Sequence, residues 1–543
     1  MSNSQDSRRD PSLFVFLFAL LGLTPCIWSP GSVSGQDEYW LSLRTPLEMQ
    51  AEDSWWTPIW EGEPRLKKPP MLYWLIRSGY ELFGINLFAA RLWGVLFGAG
   101  FAVMAVKIWR RMFDGSGLLP GLFTATAIGV MVESRRAMHD LPMAFFVLST
   151  VWLALRFRER PTVLRALPMA ATAAGATLTK GPVPMLFLVA AFLAAKWTKP
   201  LGPADKRPGP AALGATLVAF FALALPWPLS MQALHPQFAE VLAEQSSNRE
   251  LGFTPKSISA VVFGGLGLAA PWCLLVLHAL WRLRAEGTSK DRFLAAWILC
   301  AAVPFLFLKS FERYLIPLVV PMAMLAARQC ERLSEKALRR HLGIATSVVS
   351  ILVLVFVVFV LWFKLGLVWP LLLAALCAWT IRDAFKIGRP RRTALQIGVF
   401  LAVLFGPVYT QIGINPFVTD LPSDFQSRDI ATFLRAQPAY LSMQRRQSIT
   451  QLDPGEEKQL RAFDGYVFVQ HPQLEAFDAF CKSAGVQPRV VMRFHQFYSR
   501  KVWLRFMRKG LKWPDWKEAL LDRNPDRIRH RFVCFEVEPE RGG

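Results

Sequence analysis

The chain has 543 residues, 53% of them hydrophobic, and its mean hydropathy is positive, which excludes an ordinary soluble domain. Its 62 Lys and Arg against 40 Asp and Glu give a net charge of +22. Most basic residues of the apolar part sit in short loops on alternate sides, the pattern of membrane topology, and this excludes nucleic acid as the partner they serve.

Apolar runs long enough to cross a bilayer predict about thirteen spans. The first is 11–28. Arg8 and Arg9, an apolar core and Ser-Val-Ser-Gly ahead of Gln36 also fit a cleaved signal peptide; both readings leave the following residues outside. Spans follow at 88–109, 118–132, 141–155, 163–178 and 182–196, the last two separated by the turn Thr179-Lys180-Gly181-Pro182. The remainder are expected at 211–231, 258–281, 293–308, 314–327, 344–363, 365–381 and 394–412. Loops carrying Lys107, Arg110 and Arg111, then Arg156, Arg158, Arg160 and Arg165, and their later equivalents are cytoplasmic by the positive-inside bias. An odd number of spans places the loop 36–92 and the C-terminal tail together on the outer face.

That loop is too polar for a connector. It carries Asp37, Glu38, Glu48, Asp53, Glu61 and Glu63, the pair Lys67 and Lys68, and the aromatics Trp55, Trp56 and Tyr73. Other outer connections add Glu133, Arg135, Arg136, His139, Asp140, Lys180, Glu244, Arg249, Lys309, Glu312 and Arg313. Acids and bases gathered at one end of a helical bundle imply a polar cavity there. Transfer of a sugar from a phosphate-bearing lipid needs cations at the leaving phosphate, and Lys68, Lys180, Arg249 and Arg313 are the candidates. A hydroxyl acceptor benefits from a carboxylate base, for which Asp37 or its neighbour Glu38 is suited. Tyr73, Trp55 and Trp56 either stack on a sugar or form the interfacial belt. Arg77 and Arg91 read equally well as snorkelling side chains, Glu61 and Glu63 as a solvated face, and the Lys180 segment as a mere turn.

From about Asn415 the composition turns polar, with helices expected near 424–435 and 473–484 and strands near 465–469, 489–492 and 531–537. The chain therefore divides into a membrane domain, 1–412, and a small outer α/β domain, 413–543. The seven cysteines lack metal-ligand spacing. Cys273, Cys300 and Cys377 lie in apolar runs as small hydrophobes, and Cys481 and Cys534 could pair if the tail faces an oxidising compartment.

The succession Asp37-Glu38, Glu48-Met49, Asp53 with Trp56 and Pro58, Gly62, Lys68-Pro69-Pro70, Tyr73-Trp74-Leu75, Leu82-Phe83-Gly84 and Phe88-Ala89-Ala90-Arg91-Leu92 resembles the first outer loop of polyprenyl-phosphate-dependent GT-C glycosyltransferases. The nearest branch is the bacterial aminoarabinose (lipid A) transferase and protein mannosyltransferase-like group. Arg136-Ala137-Met138-His139-Asp140, the Lys180 turn, and Lys309-Ser310 followed by Arg313-Tyr314 and Pro317 extend the likeness. The resemblance implies a mainly α, polytopic bundle in the cytoplasmic membrane, with a large first outer loop and a small C-terminal α/β extracytoplasmic domain. It implies inverting transfer of a hexose or pentose from a polyprenyl-phosphate donor to lipid A, a glycan or a protein, at the outer (periplasmic) face. By position, Asp37 would be the catalytic or acceptor-activating carboxylate with Asp140 supporting it. Lys68 would contact the donor phosphate, and Arg249 would be a phosphate-binding arginine. No cofactor is certain, and a divalent metal at the carboxylate, which some members use, stays open. Two rival readings remain: a transporter or flippase of polyprenyl-linked sugars, which should show inverted repeats, and a non-catalytic membrane scaffold.

Overall fold

The computed structural model describes residues 10–201, 208–247, 252–308, 310–434, 438–499 and 504–539. Helices dominate up to Ile412, and a mixed sheet follows. Among the described residues six helices are long and apolar enough to cross a membrane: Leu87–Met112, Asp140–Glu159, Pro210–Leu234, Glu335–Trp362, Val368–Lys386 and Pro390–Ile412. A seventh is added if Pro255–Leu268 and Cys273–Glu286, bent by 111° at their junction, count as one. The chain is a multi-pass membrane protein, and its outer surface shows why. On Glu335–Trp362, Ile351, Leu352, Val355 and Val358 are exposed, while Val349, Val353, Val357 and Val360 are buried against other helices.

The difference from about thirteen apolar runs has a physical cause. Apolarity marks burial in protein as well as in lipid. The run expected at 118–132 is two short helices, Leu118–Ala125 and Ile128–Glu133, broken at Ala127, whose backbone is extended. The run at 314–327 starts as a 3₁₀ turn, Glu312–Leu318, containing Pro317, and becomes helical at Val319. Both segments are packed inside the bundle.

Helix ends bring charge to one end of the bundle. The Asn86 side chain caps Leu87–Met112 by accepting from the Ala89 amide at 2.9 Å. Asp140 is the first residue of Asp140–Glu159, where the positive end of the helix dipole favours a carboxylate. Lys180 is the last residue of Val163–Lys180, the end that favours a cation, and Gly181 at φ +63° turns the chain away.

The first long loop is built rather than loose. Asp37–Ser42 forms a π-helical turn, Arg44–Ala51 an α-helix, and β1 (Ile59–Trp60) pairs antiparallel with β2 (Glu63–Pro64). Their two-residue turn, Glu61-Gly62, has positive φ at both positions, as a type I′ hairpin requires. Glu61 does not merely face solvent: it lies 3.3 Å from Arg44, a buried side chain that also bonds Glu48, the Ser448 hydroxyl and the Ile449 carbonyl. Arg77 does not snorkel either. It is buried, donates to the Met49 carbonyl and to Asp53 and Glu81, and lies over the Trp55 ring.

The C-terminal sheet has the order β4-β3-β5-β7-β6, with β3 (Asp429–Phe433), β4 (Thr450–Leu452), β5 (Gly465–Gln470), β6 (Arg489–Gln496) and β7 (His530–Val537). β3 runs parallel to β4 and β5, and β7 antiparallel to β5 and β6. The helix Leu474–Ala484 covers one face through Phe477 and Phe480. The segment expected to be a helix from residue 424 becomes β3, because its place between two parallel strands buries Ile430 to Phe433 on both faces. Cys481 and Cys534 are free and buried, and they pack on opposite faces of the sheet, out of each other's reach. Buried polar contacts dock the sheet on the first loop: Tyr39 bonds Tyr498 at 2.9 Å, and Asn415 bonds Ser34 at 2.8 Å and the Ser499 amide at 2.9 Å.

Candidate active site

Asp37 opens the π-helical turn, and its neighbour Glu38 points to the other side. Glu38 is fully buried against Arg91, at 2.8 and 3.3 Å, and accepts the Ala137 amide at 3.0 Å. Arg91 completes its bonds with the Ile27 and Ser29 carbonyls and the Tyr440 hydroxyl. Glu38, expected as a catalytic candidate beside Asp37, is engaged by Arg91 and the Ala137 amide and is not among the residues lining the cavity that Asp37 faces. Arg91 likewise is not a snorkelling side chain but the buried partner of this junction.

Asp37 instead faces a cavity of about 120 Å³ lined by Leu41, Ser42, Arg65, Lys68, Met138, His139, Asp140, Lys180, Arg313 and Tyr314. Arg313, from the 3₁₀ turn, bridges the two carboxylates: its Nη2 is 2.5 Å from Asp37 Oδ2 and its Nε 3.3 Å from Asp140 Oδ2. Lys180 pairs with the other oxygen of Asp140 and lies 3.5 Å over the Tyr314 ring. Arg65 donates to the Tyr73 hydroxyl at 2.9 Å, and the His139 ring meets Tyr73 edge-on. Tyr73 itself is fully buried behind the wall, so it supports Arg65 and His139 instead of presenting a ring to a ligand. Asp37, Leu41 and Arg65 also line a wider groove of about 550 Å³ that runs between Trp40, Trp60, Glu63 and Lys67. Across Arg313 lies a third space of about 210 Å³, walled by Leu268, Phe311 and the buried pair Glu133–Arg136.

Four cations, Arg65, Lys68, Lys180 and Arg313, surround two carboxylates, Asp37 and Asp140. The excess suits an anion. Burial pushes the Arg313 guanidinium down, but Asp140, Asp37 and Glu133 outweigh it and hold its pKa above the ordinary arginine value. Burial raises the Glu133 carboxyl even though Arg136 opposes it. His139 is pushed well below its ordinary 6.5, first by burial and then by Lys68, with Asp140 opposing and Lys180 and Arg65 adding to the fall.

The structure therefore gathers Asp37, Lys68, Asp140, Lys180, Arg313 and Tyr314 around one space, and leaves Glu38 and Tyr73 out of it. Arg249 and Lys309 lie outside the described residues. Trp55 and Trp56 are partly exposed on the loop, Trp55 beneath Arg77 and Trp56 beside Trp74. Arg65 and His139 complete the wall. Arg65 stands next to the Lys67-Lys68 pair and His139 next to Asp140, the local signals that mark them. Among the described residues no three His, Cys, Asp or Glu side chains are placed to hold one metal ion, and the Arg313 guanidinium already sits between the two carboxylates. This donor set does not fit a divalent ion.

Residues 67–227 match the family described as dolichyl-phosphate-mannose-protein mannosyltransferase. An undecaprenyl phosphate-alpha-4-amino-4-deoxy-L-arabinose arabinosyl transferase of Pseudomonas fluorescens is 28% identical over 329 residues, 57% of each chain. Its counterpart in Pseudomonas aeruginosa is 27% identical over 341 residues, 59% of each chain. The chain thus spans under two thirds of the length of these relatives. Among solved structures, ArnT from Cupriavidus metallidurans in the apo state superposes with a TM-score of 0.69 at 15% identity, covering 96% of this chain and 97% of the other. At that identity the likeness concerns the fold, and it extends over the helices and the C-terminal sheet alike.

Proposed function

We propose that the chain is a GT-C glycosyltransferase that transfers a sugar from a polyprenyl-phosphate donor to an acceptor at the outer face of the cytoplasmic membrane. Lys68, Lys180 and Arg313 neutralise the donor phosphate, with Arg249 assigned to the same task. Positive charge aimed at the bridging oxygen stabilises the negative charge that develops as the sugar departs. Asp37, the more exposed carboxylate, orients the acceptor; Asp140, buried between Lys180 and Arg313, keeps those two cations in place. Attack from the side opposite the phosphate inverts the anomeric centre. The relatives' printed names favour undecaprenyl phosphate as carrier and a 4-amino-4-deoxy pentose as sugar, and we take lipid A as the acceptor. We assign the polar part from residue 413 onward to an extracytoplasmic domain, which docks on the first loop through Tyr39–Tyr498 and Ser34–Asn415.

The observation that carries this reading is Arg313 joining Asp37 and Asp140, carboxylates from separate elements, at a cavity with surplus positive charge. The test uses the purified full-length protein with undecaprenyl phosphate-4-amino-4-deoxy-L-arabinose and lipid A. Transfer is expected with the wild type and lost in Asp37→Ala and Lys68→Ala. Folded variants that still transfer would overturn the assignment. Mass spectrometry of envelope lipids and glycans from cells lacking the protein then identifies the sugar and the acceptor.

A further inference from the structure

Both carboxylates of the cavity are committed, Asp37 to Arg313 and Asp140 to Arg313 and Lys180. Arginine and charged lysine can only donate. His139, also on the wall, is 8% exposed, and its Nε2 is buried with no hydrogen-bond partner among the described residues. Such an orphan costs about 1–3 kcal/mol, and at a cavity wall a bound ligand's O–H can meet it.

We propose that His139 is the proton acceptor of the site, receiving the proton of the acceptor O–H as the sugar leaves the donor phosphate. The proposal rests on the glycosyl-transfer reading. The acceptor oxygen bonds to the anomeric carbon, and the bond from that carbon to the phosphate oxygen breaks. Polyprenyl phosphate leaves with the electron pair of the broken bond, and the acceptor's proton passes to the imidazole. No further reactant is needed.

The surroundings give the histidine its timing. Burial and the cations Lys68, Lys180 and Arg65 favour the neutral ring, with Asp140 opposing. Arg313 faces it across the same space, and the Tyr73 hydroxyl is held by Arg65. A bound phosphate ester adds negative charge beside these cations, and that charge grows as the sugar departs. The imidazole therefore gains basicity when the donor is in place, and most at the moment of transfer. Asp37 is left to orient the acceptor.

The test follows the imidazole directly in full-length protein carrying ¹³C-labelled histidine, with undecaprenyl phosphate as the probe and His139→Gln to assign the resonance. Without the probe the imidazole is expected to titrate below the ordinary histidine range; with it, the midpoint should rise by about one unit or more. In transfer assays His139→Gln should lower kcat about 100-fold and flatten the acid limb of its pH profile. Its affinity for undecaprenyl phosphate should stay within about twofold of the wild type, a change of about 0.4 kcal/mol. An ordinary midpoint in the free protein, a midpoint that does not move when the probe binds, or a wild-type kcat in His139→Gln overturns the proposal while leaving the glycosyl-transfer reading intact. Failure of the wild type to bind undecaprenyl phosphate at all defeats that reading and the proposal with it.

Discussion

Two ion-paired junctions begin at adjacent residues of the first loop and have opposite characters. At Glu38 the carboxylate, Arg91, two carbonyls and the Tyr440 hydroxyl satisfy one another without a gap. At Asp37 the carboxylate shares Arg313 with Asp140, but the cluster borders open space, carries surplus positive charge and keeps an unpartnered histidine. A closed set of ion pairs holds structure together; an open one with unspent donors and acceptors is prepared for a ligand. Charge content alone does not separate the two. Closure does.

The comparison breaks most decisively at Asp37. Asp37→Asn should leave thermal unfolding within about 1 kcal/mol of the wild type while lowering the transfer rate about 100-fold through lost orientation of the acceptor. At the closed junction the opposite is expected. Glu38→Ala strands the buried Arg91 and should destabilise the protein by about 3–5 kcal/mol, read as loss of folded protein in thermal unfolding. Tyr440→Phe removes one hydrogen bond to that arginine, and about 1.5–3 kcal/mol should be lost, with the transfer rate of the folded fraction unchanged. A smaller effect sharpens the open side. Because the folded pKa of His139 lies below 6.5, its contribution to stability is present above that pH and is lost as pH falls below it. His139→Gln should therefore lessen the acid destabilisation as pH falls through 6.5, measured by denaturation at about pH 7.5 and about pH 5.5.

Much of this was legible in the residues. Lys68, Asp140, Lys180 and Arg313 flank apolar runs, where a charge has no use in lipid, and the structure brings all four to the space beside Asp37. The strands β5 and β7 and the helix Leu474–Ala484 lie close to where the β-like runs and the helical period place them. What stayed hidden depended on partners distant in sequence. Arg44 reads as an ordinary loop charge until Ser448 and Ile449 surround it. Tyr73 reads as a sugar platform until Arg65 and His139 cover it.

The sequence by itself determined a multi-pass membrane chain with a chemically rich first loop, because hydropathy and charge asymmetry are local sums that need no contacts. It also determined which few charged positions stand at helix ends, since Asp140 and Lys180 occupy the ends their helix dipoles favour. Only the tertiary structure decided which of two adjacent acids meets the cavity. The π-helical turn sends Asp37 and Glu38 to different sides, and Arg91 and Arg313, from distant elements, select the role of each. It likewise decided which apolar runs face lipid and which face protein, because a hydrophobic side chain leaves water equally well in either direction.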